Sequence, residues 1–155
     1  MLSQADLPNG YRLVVASAAE LMIQDWNKPE LMIRATLEED GELWFYVQAE
    51  VEEPTLPKRG FVRGRVLFDL MLLHFGNEVN AIIGFWTRGP NYVEFHKRLA
   101  EGYSEAEAAL ATWTGKNADR ACFGDVRTIN MSKSTDTRPW VKIEFHRTGE
   151  NDVAR

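Results

Sequence analysis

The side chains best suited to bind and process a ligand lie in the second half of the chain. Trp86, Arg88 and Asn91 crowd a strand-to-helix turn. An indole face, a guanidinium and an amide so close together can hold a nucleotide base or another planar ligand by stacking and bidentate hydrogen bonds. Further on, Thr112-Trp113-Thr114-Gly115-Lys116-Asn117 is the best anion site in the sequence. A helix opening at Thr114 would aim free N–H groups and its positive dipole end where Gly115 permits close approach and Lys116 adds charge. The stretch lacks the upstream glycine and the spacing of a phosphate-binding P-loop. His96 follows the Asn91 turn with Glu94 and Lys97 beside it, as a general acid or base should. Each group also has a plainer reading: a packed tryptophan with Asn91 capping the next helix, a helix cap with a solvated lysine, and a surface histidine.

The remaining reactive residues are less suggestive. His74 ends an apolar helix, where a structural histidine is expected, and His146 stands on a different element. No HxxxH or His–carboxylate spacing suits a metal, so neither metal nor cofactor is expected. Cys122, between Ala121 and Phe123, reads as a small buried hydrophobe; as the lone cysteine it excludes an internal disulfide. Lys58, Arg59, Arg63 and Arg65 form a basic cluster that suits phosphate or an acidic partner. Acids such as Glu38-Glu39-Asp40 and Glu52-Glu53 fall in turns and read as solvated.

These groups need elements to position them. Tyr11 to Ala16 reads as a strand after the Pro8-Asn9-Gly10 turn, and residues 17–28 are compatible with a short helix. Period-two alternation over 31–37 and 43–51, joined through Glu39-Asp40-Gly41, predicts a β-hairpin. Residues 52–61 form a loop. A helix buried on several sides follows over 62–75 and stops at Gly76. Alternation over 79–87 gives a strand covered on both faces. Tyr92, Phe95 and Leu99 mark an amphipathic helix over 91–101 ending at Gly102, and Ser104 with Glu107 forms a capping box for a helix over 104–113. A short helix capped by Thr114 leads to two strands, 125–131 and 139–146, with a polar loop at 132–138. Residues 148–155 read as frayed.

A chain of 155 residues, 45% hydrophobic and 11% aromatic, is sized for one domain with one core. The formal net charge of −5 argues against a dedicated duplex-DNA binder. The sequence carries neither a signal-peptide pattern nor a membrane-length apolar run, so a soluble protein is expected, cytoplasmic or secreted within a larger chain, with no membrane partner.

The run Phe68-x-x-Met71-x-x-His74-Phe75-Gly76, then Val79, Ile82-x-Gly84-x-Trp86-x-x-Gly89-x-Asn91 and Phe95, and finally Ala108-Ala109 before Thr112-Trp113-Thr114-Gly115 and Ala118, resembles a small module at the C-terminal ends of bacterial polymorphic toxins and related secreted proteins. The resemblance spans residues 62–146; the part before 60 has no counterpart. It implies a variable effector, released into a neighbouring or host cell and opposed by a cognate immunity protein, and it carries over no catalytic residue.

The expected fold is α+β: a single domain over 1–155, with an antiparallel or mixed sheet and three to four helices packed mainly on one face. The expected function is a toxin-type effector domain acting on a nucleotide or nucleic acid, with His96 catalytic and Trp86, Arg88, Asn91, Thr114 and Lys116 binding substrate. The alternative is a non-enzymatic immunity or adaptor protein that uses an acidic surface, with residues such as Trp44, Tyr46 and Glu50, against a basic partner.

Overall fold

The computed structural model describes residues 1–48, 64–133 and 138–149. The loop over 52–61, most of the 58–65 basic cluster, Glu50 and the last residues lie outside them. Contacts gather into two compact units, Met1–Val79 and Asn80–Arg155. Each combines antiparallel strands with helices, and the fold class is α+β.

The first unit is an antiparallel meander: β1 (Tyr11–Ala16), β2 (Glu20–Asp25), β3 (Met32–Leu37) and β4 (Glu42–Gln48), each paired with the next. Alternation decides which side chains go inward. Ile23 faces Ile33, and Leu21 faces Ala35, which faces Phe45. Leu21, Ile23, Ile33 and Leu43 have no exposed surface. Helix α1 (Gly64–Phe75) covers β2 and β3 with Leu67, Phe68, Met71 and Phe75, and the Phe68 ring meets Phe45 edge-on at 5.5 Å. The 17–28 stretch, read as compatible with a helix, is instead the hairpin turn and strand β2. Its apolar residues Leu21 and Ile23 sit two apart on the buried face, and Ser17 closes the turn by accepting the Glu20 N–H at 3.0 Å.

His74 is structural. Its Nδ1 accepts the Leu2 backbone N–H at 3.1 Å, which leaves Nε2 to carry the proton and donate to the Ser17 carbonyl at 2.7 Å. One imidazole thereby ties the N-terminal segment and the β1–β2 turn to the end of α1. Gln4 adds a second tie, donating to the Tyr11 carbonyl and accepting the Leu13 N–H, both at 2.8 Å.

The second unit holds β5 (Ala81–Trp86), α2 (Pro90–Ala100), α3 (Glu105–Ala111), α4 (Trp113–Arg120), β6 (Asp125–Met131) and β7 (Val141–His146). Strand β7 pairs antiparallel with both β5 and β6. Register places Ile82, Gly84 and Trp86 beside Phe145, Ile143 and Val141 on one buried face. Trp86 turns its indole back over Gly84, where a Cβ would stand 2.8 Å from the ring. Helix α3 lies on β6 and packs against α2 and α4. The Ser104–Glu107 capping box opens α3 as expected, but α3 stops at Ala111 because Thr112 turns extended (ψ 162°) and caps α4. No helix among the described residues is long and apolar enough to cross a membrane.

Because His74 is only 6% exposed and serves two backbone groups, His74→Ala should lower unfolding free energy by about 2–4 kcal/mol in urea titration. A loss below about 0.5 kcal/mol would contradict its role as a tie.

Candidate functional site

Helix α2 begins with Gly89 as its N-cap residue and Pro90 in the first helical position, so Asn91 sits inside the first turn rather than at the cap. That releases its amide for another task. Asn91 Nδ2 donates to Thr114 Oγ1 at 3.0 Å, and Asn91 Oδ1 accepts the Thr114 backbone N–H at 3.1 Å. Both polar ends of one amide thus engage one residue of α4, and Thr114 is 1% exposed.

The cap of α4 is Thr112, not Thr114. Thr112 Oγ1 accepts the Gly115 N–H at 2.9 Å and donates to the Ala109 carbonyl at 2.6 Å, while the Thr112 carbonyl takes the Lys116 N–H at 2.9 Å. With Thr114's N–H on Asn91, the N–H groups of Thr114, Gly115 and Lys116 are all satisfied within the protein. Gly115 does permit a close approach, but what approaches is helix α3: a Cβ there would lie 2.0 Å from the Ala109 carbonyl oxygen and 2.7 Å from the Leu110 Cα. The start of α4 is therefore a helix junction. Asn117, 6% exposed, braces it by donating to the Trp113 carbonyl at 2.9 Å and accepting from Arg120 at 2.8 Å.

Trp86 is 8% exposed and packs against Phe95, with ring centroids 6.3 Å apart. It is part of the core. Phe95 leads on to His96, whose ring lies 5.4 Å from Phe95 and 4.4 Å from Tyr92. His96 Nε2 is enclosed and has no hydrogen-bond partner among the described residues. That is uncommon, because sheltered polar atoms are nearly always paired.

Glu94 does not serve His96. Arg98 Nε donates to its carboxylate at 2.7 Å, and this hydrogen bond pulls the carboxyl below its usual range, helped by the charges of Arg98, Lys97 and Lys116 against the effect of partial burial. Arg98 also reaches Glu101 at 3.4 Å and lies over the Tyr103 ring at 5.2 Å. Arg88 and Lys116 are exposed. Of the six residues singled out by sequence, the structure joins Asn91 to Thr114 directly and Trp86 to His96 through Phe95. Lys116 lies in the charge environment of Glu94, and Arg88 stands apart on the surface. The sequence placed Thr112 and Asn117 in the anion-site stretch without giving them the capping and bracing roles they have here; a threonine at the α3–α4 break was the one signal for the first.

Among the described residues, no group of three or more His, Cys, Asp or Glu is arranged to hold a metal ion. His146 pairs with Glu144 at 3.1 Å. Cys122, expected to be buried, is exposed, with φ 67° in the turn after α4, where its carbonyl accepts the Thr148 N–H at 2.9 Å.

No family model and no curated protein matches the chain. Among solved structures, it is similar to the crystal structure of a protein of unknown function, AQ1966 from Aquifex aeolicus VF5. The identity is 18%, over 93% of this chain and 75% of that one, with a TM-score of 0.47. A likeness at that level carries no chemistry, and the site rests on its own geometry.

Gly115→Ala drives a methyl group into the α3 backbone and should cost about 1–3 kcal/mol of stability, read by urea or thermal unfolding. A neutral effect would mean that the α3–α4 junction is looser than described.

Proposed function

We propose that the Asn80–Arg155 unit is a toxin-type effector that acts on a nucleotide or nucleic-acid substrate, with His96 as its general acid or base. The observation that carries this reading is the enclosed, unpartnered Nε2 of His96. An imidazole nitrogen with no internal partner keeps its capacity to take or give a proton when a substrate group arrives. Tyr92 lies against that ring, with centroids 4.4 Å apart. Arg88 and Lys116 supply exposed positive charge for phosphate. Asn91 and Thr114, which satisfy one another, and Trp86, which is packed, act as positioning residues. The likeness of residues 62–146 to the toxin module supplies the biological setting, including a cognate immunity protein as partner.

A second reading has one observation in its favour. Tyr46 is 58% exposed on β4, which suits an immunity or adaptor surface that docks a protein partner.

Tightly induced expression in a bacterial host separates the two. The intact chain should arrest growth, while His96→Ala and Arg88→Ala, matched for expression and for far-UV circular dichroism, should not. Harmless intact chain, or undiminished toxicity of His96→Ala, would refute the effector reading. In the binding reading the intact chain is harmless, and Tyr46→Ala should weaken capture of a basic partner at least tenfold.

A further inference from the structure

The buried face of β5 and β7 is built from Ile82, Gly84, Trp86, Val141, Ile143 and Phe145. The alternate residues face the other way; Ala81 and Ile83 are buried there as well, and only toward the end of β5 does that face open, at Phe85 beside Trp140. Phe85 is 49% exposed, and its ring stacks beside Trp140 with centroids 6.0 Å apart and planes inclined by 19°. Trp140 is held in register, since its N–H donates to Ser132 Oγ at 2.8 Å and its carbonyl accepts the Ser132 N–H at 2.9 Å. The pair is therefore a fixed platform of two nearly parallel aromatic rings.

Positive charge surrounds that platform. Strand register sets Lys142 directly across from Phe85, and Asn130 across from Lys142. At the same end of the three strands the chain carries Arg88 just after β5, Lys133 just after β6 and Arg138 just before β7, all exposed. Four cations gather there in a chain whose net charge is −5.

We infer that the patch at the end of β5 and β6 and the start of β7 binds single-stranded nucleic acid, with Phe85 and Trp140 stacking on bases and Arg88, Lys133, Arg138 and Lys142 meeting the phosphates. Single strands expose the base faces that such a platform needs, whereas a duplex hides them. An acidic protein partner would satisfy the cations but leave the stacked rings without matching flat surfaces. This surface goes beyond the His96 reading and requires no turnover.

The test is fluorescence anisotropy of the full chain with labelled oligo-U and oligo-dT of about 12 nucleotides and a duplex of similar length, across a salt series. The single strands should bind at least tenfold more tightly than the duplex; whichever of oligo-U and oligo-dT binds better identifies the strand. Phe85→Ala should weaken binding about tenfold or more, consistent with loss of one stacking contact. Arg138→Glu, at an exposed position outside the packed strands, should weaken binding and flatten its salt dependence. Circular dichroism and urea midpoints identify a variant that fails only by unfolding, and Arg138→Glu then decides. Equal or tighter duplex binding, no binding by either strand, or a folded Phe85→Ala of unchanged affinity would overturn the inference. Binding without growth arrest supports this surface while removing the effector reading; arrest without binding does the reverse.

Discussion

The second unit depends on one amide. Asn91 spends its acceptor on the Thr114 backbone N–H and its donor on the Thr114 hydroxyl, closing a two-bond clasp between α2 and α4. Inside a packed interface a polar group left without such partners costs about 1–3 kcal/mol, so the clasp specifies one seating of the two helices and penalises others. Gly115 adds the steric half of the constraint by letting the α3 backbone fill the place of a side chain. Beside that clasp, α2 itself sets His96 against Tyr92 and Phe95, and Trp86 of β5 packs against Phe95.

That arrangement alters what the polar residues of this region mean. The Thr114–Lys116 turn has the composition of an anion cradle, yet its N–H groups are consumed by Thr112 and Asn91. Polarity there specifies packing. Chemical capacity remains at a sheltered imidazole nitrogen on α2 and at a pair of stacked rings near cations at the end of the strands. Both readings place function in the Asn80–Arg155 unit, and they share Arg88.

Much of this architecture was legible in the sequence because local rules suffice for it. Period-two alternation marked β3, β4 and β5, the apolar run after the Pro8-Asn9-Gly10 turn marked β1, and β6 ran from Asp125 to Met131 as expected. The Ser104–Glu107 box marked the start of α3, where a hydroxyl and a carboxylate satisfy each other's backbone donors. β2 was ambiguous because Leu21, Met22 and Ile23 are contiguous, and only tertiary burial shows that Leu21 and Ile23 share a face. The break between α3 and α4 was expected two residues late, at Thr114, because Thr112 and Thr114 are equally good caps by type, and Thr114 is instead held by Asn91, far away in sequence. Long-range pairing of that kind also hid the stacking of Phe85 on Trp140 and the exposure of Cys122.

The most direct test of this account is a double-mutant cycle between Asn91→Ala and Thr114→Val, measured by urea unfolding. Valine keeps the shape of threonine and its backbone N–H while deleting the hydroxyl that Asn91 bonds. The clasp predicts that the two losses are coupled by about 0.5–1.5 kcal/mol. Strict additivity, within about 0.3 kcal/mol, would show that the amide–hydroxyl bond does not couple the two residues and would contradict the two-bond clasp between α2 and α4.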